Sequence, residues 1–169
     1  HGAVNGANHW TASPDQQRHL TFTQITPDSF TEELAWDAKG GDSLHPVLDE
    51  TRTVKVIAYP DGSRGLDITS TFTAPTVDAV FKCKPLNVTG VEAGLCSLRI
   101  AKAITDGPDA NKWITTGAPS SGEAAARSQT APWCDYSGII QGKKYGAAMV
   151  DSAQNAGSPT PWHVRLFGL

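Results

Sequence analysis

Apolar and polar positions alternate with a period of two along most of the chain. In residues 51–59, Val54, Val56 and Ala58 fall on one face and Thr53, Lys55 and Ile57 on the other, and residues 65–72 bring Leu66, Ile68, Ser70 and Phe72 together. Asp61-Gly62 between them is turn chemistry, so these two runs predict a hairpin. Residues 29–39, with Phe30, Leu34 and Trp36, predict another strand, as do 77–83, 95–104, 112–116, 133–140, 145–150 and 162–167. Residues 117–129 are dominated by small side chains and predict a surface loop with at most a helical turn near Glu123. No long amphipathic helix is available as a crossover, so the pattern predicts a single all-β domain over residues 1–169, an antiparallel β-sandwich or barrel.

Composition narrows the partners. Fourteen Lys and Arg against seventeen Asp and Glu leave a net charge of −3 without a basic block, which gives no footprint for nucleic acid. No apolar run approaches the roughly 18–20 residues of a membrane helix, so no membrane is expected. Phosphate loops, Cys-x-x-Cys pairs, His-Glu-x-x-His and Gly-x-Ser-x-Gly are absent from the sequence. Three cysteines cannot all pair internally. Cys83 and Cys96 are spaced to bridge neighbouring strands or to remain thiols, leaving Cys134 free. The sequon Asn87-Val88-Thr89 and the start at His1 fit a secreted or extracytoplasmic protein.

Candidate chemistry gathers in three places. Residues 1–10 hold His1, Asn5, Asn8, His9 and Trp10, a source of ligands, of a sugar-stacking floor, or simply of a glycine-broken loop. On a strand over residues 133–138, Trp133, Asp135 and Ser137 face one way and Cys134 and Tyr136 the other, which sets a carboxylate beside an indole, a pairing that suits a sugar and equally a core Trp with an Asp bonded to a turn amide. In residues 159–167, His163 and Arg165 share a face opposite Trp162, Val164 and Leu166. Glu50 and Arg52 repeat that i, i+2 geometry, either as ligand-facing groups or as a salt-bridged pair.

Two mechanisms can be built from these groups. In the first, a carbohydrate ligand in a concave sheet face meets His163 as acid/base, Asp135 or Glu50 as its carboxylate partner, Arg165 and Arg52 as oxygen binders, and Trp133, Tyr136 or Trp10 as further binding surface. In the second, the amine and imidazole of a terminal His1, joined by one of His9, His19, His45 or His163, hold copper. His1-Gly2 resembles the start of lytic polysaccharide monooxygenases, which implies oxidation of polysaccharide. A non-catalytic glycan-binding module is the third reading.

Over nearly its whole length the chain resembles an uncharacterised domain family labelled methane oxygenase PmoA-like. The resemblance is carried by residues 1–6, Glu50-Thr51-Arg52, Leu98-Arg99-Ile100-Ala101, Trp133-Cys134-Asp135-Tyr136-Ser137-Gly138 and Pro159-Thr160-Pro161-Trp162-His163-Val164-Arg165. It implies an antiparallel β-sandwich similar to the galactose-mutarotase type, in proteins that accompany carbohydrate metabolism, and brings no established catalytic residues. Asp151-Ser152-Ala153 stands where relatives carry Asp-His-Pro, and the chain reads as a core portion shortened at both ends.

Overall fold

The computed structural model describes residues 3–9, 15–82, 95–108, 111–116 and 122–169. The chain forms two compact units, His1–Ala93 and Gly94–Leu169. Each is built on antiparallel strands, and the fold is all-β as the alternation predicts. No helix among the described residues is long and apolar enough to cross a membrane.

In the first unit, β1 (Ala3–Val4), β2 (Ala7–Asn8) and β7 (Phe81–Lys82) form a small sheet in the order β2-β1-β7. The larger sheet has the order β3-β4-β5-β6, from β3 (Gln16–Ile25), β4 (Ser29–Gly40), β5 (Ser43–Ala58) and β6 (Arg64–Thr73). The predicted hairpin is β5–β6. Asp61 Oδ1 accepts the Ser63 backbone N–H at 2.9 Å, and Gly62 takes φ 87°, which only glycine enters without strain. β5 begins well before residue 51 and passes through Pro46, which has no N–H to give the ladder. A shift of register beside Asp37 and Pro46 absorbs that defect.

The small sheet lies on one end of the larger one, giving this unit a sandwich-like core. Asn5 and Gly6, both at positive φ, make the tight turn between β1 and β2 that brings Val4 onto Trp36 and Leu48. The rings of Phe72 and Phe81 meet edge to face with centroids 5.6 Å apart, and His9 packs on Trp36 at 5.2 Å.

The second unit holds β8 (Lys112–Thr116), β9 (Trp133–Ile140) and β10 (Lys143–Val150), in the order β10-β9-β8. Ile104, Ile114, Ala126, Cys134, Tyr136 and Val164 form its core. Two single-turn helices, α1 (Lys102–Thr105) and α2 (Glu123–Ala126), flank it. Gly138 is required by packing: a Cβ there would stand 2.6 Å from Ile104 Cγ2.

Three strand expectations are corrected. Residues 95–104 end in α1 and otherwise make isolated bonds to the C-terminal segment, such as Leu98 N–H to Leu169 O at 2.9 Å. Residues 162–167 carry only isolated bridges, because Pro159 and Pro161 withhold donors and the chain reverses where Arg165 pairs with Gly168. Of residues 77–83, among the described residues 77–82 only Phe81–Lys82 is a strand. Conversely β3, whose alternation is blurred by bulges near Leu20 and Thr23, is a ten-residue strand that the pattern did not reveal.

Candidate functional site

One face of the β3–β6 sheet changes character along its length. At one end Trp36, Leu48 and Phe72 are packed under the small sheet. The register then places Gln17, Glu50, Glu32, Arg52, Ser70 and His19 side by side as a polar band. Beyond it come Phe22, Val54, Val56, Ile68 and Leu66, mostly exposed.

Glu50 is the anchor of the band. It is only 2% exposed, yet its two oxygens accept five hydrogen bonds. Oε1 accepts Arg52 Nε–H at 2.9 Å and Ser70 Oγ–H at 2.7 Å. Oε2 accepts Trp36 Nε1–H at 2.8 Å, Gln17 Nε2–H at 2.7 Å and Arg52 Nη2–H at 2.9 Å. Burial pushes the Glu50 carboxyl up, but the bonds from Ser70, Arg52 and Trp36 outweigh it, and the pKa lies below the ordinary value of 4.5. Glu50 is thus a permanent carboxylate with its acceptor capacity filled. Its work is to hold Arg52, and the acid/base role expected for it does not suit that environment.

Arg52 turns its remaining nitrogen, Nη1, toward Glu32 Oε1 at 3.6 Å. The other oxygen of Glu32 is 2.9 Å from His19 Nδ1. A carboxylate can only accept, so Nδ1–H donates, and in the neutral form of the ring Nε2 is the acceptor. Beside it the Phe22 ring packs at a tilt against His19 with centroids 4.5 Å apart and meets Phe30 edge-on at 5.5 Å. An imidazole oriented by a carboxylate, next to a clamped guanidinium and an exposed aromatic ring, is the arrangement in the first unit best equipped for chemistry. Glu32, and any role for His19 other than a copper ligand, were missed because the site needs β3 beside β4. The signal available was a histidine on a face with Gln17 and Phe22 two and three residues away across a bulge.

The other expected site residues fall as follows. Asp135 and Trp133 do share a face of β9, and Asp135 accepts Ser137 Oγ–H at 2.9 Å. Tyr136 points the other way into the core, 1% exposed, and spends its hydroxyl on Leu166 O at 2.7 Å. It is a packing residue, not a ligand-facing one. His163 and Arg165 do meet, with Arg165 Nε–H donating to His163 Nε2 at 3.3 Å. They lie on an irregular segment from which Val164 and Trp162 pack into the core while Leu166 is exposed, so the expected apolar back face forms only in part. Trp10 and His1 lie outside the described residues, as does Cys83; Cys96 is an exposed thiol and Cys134 a buried one. Among the described residues no group of three or more His, Cys, Asp or Glu could hold a metal ion.

Fold and site together define an all-β protein of antiparallel sheets with a histidine-carboxylate pair on an open sheet face. The chain belongs to DUF6807, a family of unknown function whose profile matches residues 1–169. No curated protein and no solved structure matches it.

Proposed function

We propose that the protein is carbohydrate-active and transfers a proton on a neutral sugar or glycoside laid across the polar band of the β3–β6 face. The observation that supports this reading is the His19 Nδ1 to Glu32 contact at 2.9 Å beside Arg52, which itself is clamped by Glu50. His19 Nε2 is the proton-transfer atom. Glu32 fixes the tautomer and stabilises the imidazolium once it forms. Arg52 presents an oriented guanidinium to a ligand oxygen, and Phe22 supplies a ring for the C–H face of a sugar.

Charge favours a neutral ligand. Glu50 and Glu32 together offset Arg52 and leave the band neutral or net negative, depending on His19, so a phosphate or uronate gains nothing there that a hydroxyl does not. The aliphatic side chains beyond the band, Val56, Leu66 and Ile68, extend an apolar surface rather than a charged one.

The test is incubation with a panel of neutral mono- and oligosaccharides in deuterated water, followed by proton NMR for exchange, epimerisation or bond cleavage. The expected result is processing of at least one sugar, reduced about 10²–10⁴-fold in His19→Ala. A panel left wholly untouched, or processed equally by His19→Ala, contradicts the reading.

A further inference from the structure

In the second unit, the outer face of the β10-β9-β8 sheet carries a second aromatic feature. The register sets Trp113 opposite Ser137, Thr115 opposite Asp135, Asp135 opposite Ala148, and Trp133 opposite Val150. All of these point away from the Ile114, Cys134 and Tyr136 core. Trp113 and Trp133 are 39% and 37% exposed, an unusual state for two indoles on one small sheet.

Between the two rings the surface is low. Gly146 and Ala148 on β10 are exposed and offer almost no side chain, and Ser137 is buried. The flatness is built in: a Cβ at Gly146 would stand 2.4 Å from Ser137 Cβ and 2.8 Å from Tyr136 O, so no larger residue fits. The one carboxylate in the middle is Asp135, oriented by Ser137 Oγ–H at 2.9 Å. Lys144 Nζ lies over the Trp113 ring, 5.2 Å from its centroid, which fixes that indole by a cation–π contact.

From the register, Trp113 and Trp133 lie four residues apart along the strand direction and one strand apart across it, a separation of about 13–14 Å. That exceeds one pyranose ring and suits a chain of several. We propose that this face is a binding platform for a neutral polysaccharide chain, with Trp113 and Trp133 stacking on two separated rings and Asp135 accepting a hydroxyl from the sugar between them. A linear glycan fits this face better than a protein surface does: between the two rings stand only small or polar side chains, Thr115, Asp135 and Ala148, while the bulkier Val150 and Lys144 lie beside Trp133 and Trp113 at the two ends. The platform does not depend on proton transfer at His19.

Affinity electrophoresis of the full chain through gels containing xylan, mannan or mixed-linkage β-glucan, with sedimentation on cellulose and chitin, tests it. At least one polysaccharide retards or captures the protein. Affinity falls about tenfold or more in Trp113→Ala and in Trp133→Ala, returns largely in Trp133→Phe, and is unaffected by His19→Ala. Ala148→Gln, which raises a side chain from the exposed centre without touching the core, also weakens binding and keeps the test open if a tryptophan variant fails to fold. Absence of binding to every polysaccharide, or binding that survives both the tryptophan variants and Ala148→Gln, overturns the proposal. Loss of turnover in His19→Ala with binding intact separates this platform from the proton-transfer site.

Discussion

Arg52 lays Nε and Nη2 on the two oxygens of Glu50, each at 2.9 Å, and so converts a two-residue spacing on β5 into a single rigid unit. The fork leaves only Nη1 to face Glu32. Because Glu50 is almost fully buried and Arg52 is partly so, the pair contributes only as long as both members are present. Glu50→Gln, which keeps the shape but puts an amide N–H against donors, lowers the unfolding free energy of the protein by about 3 kcal/mol. Ser70→Ala, which removes one of five donors, costs about 1 kcal/mol. Urea unfolding of the two variants checks the order; equal stabilities, or a costlier Ser70→Ala, contradict it.

The acid side of the stability profile follows from two buried groups. His9 donates from Nε2 to Asp37 O at 3.2 Å, while its Nδ1 is buried with no hydrogen-bond partner among the described residues. Burial therefore pushes its pKa below the ordinary 6.5. Below pH 6.5 the unfolded chain takes up a proton that the folded ring resists, so stability is complete above that value and declines as pH falls through the lower folded pKa. Glu50, depressed below 4.5, acts in the same sense further down: its contribution is complete above pH 4.5 and is lost as pH falls through its folded value. Unfolding midpoints at pH 7.5, 5.5 and 3.5 should fall at each step. His9→Gln, which can still donate to Asp37 O, should shrink the first fall and leave the second. An unchanged first fall in that variant assigns the effect elsewhere.

The two thiols differ in environment and so in reactivity. Cys134 is wholly buried, and burial first, with Asp135 second, pushes its pKa up to about 11. Cys96 is exposed. At pH 8 iodoacetamide should label Cys96 within minutes and Cys134 only after the second unit opens, because the thiolate is the reacting species and the reagent needs access. Peptide mass spectrometry reads both sites. Early labelling of Cys134 would show that its strand is not packed as described.

How much of this was legible in the sequence depended on how local the cause was. The β5–β6 hairpin and the two faces of β9 are set by alternation and a turn, all within a few residues, and both could be read directly. The Glu50 and Arg52 spacing was equally visible, but whether they served a ligand or each other depended on Gln17, Trp36 and Ser70 arriving from three other strands. His163 and Arg165 looked like a strand face because their alternation is good. The prolines that stop the ladder, and the turn that folds residue 165 onto 168, compete with that alternation and prevail. His19 was hidden for the opposite reason: bulges break the period of β3, while its partners on β4 restore the pairing.

The proposed proton transfer has two candidate histidines, His19 and His163. If a sugar in the panel is processed, its turnover measured side by side for His19→Ala and His163→Ala tests the proposed role of His19. The arrangement of Glu32, Arg52 and Glu50 around His19 predicts a loss of at least about a hundredfold in the first variant and a change of no more than a few fold in the second. A His163→Ala enzyme that is dead while His19→Ala works normally would contradict it.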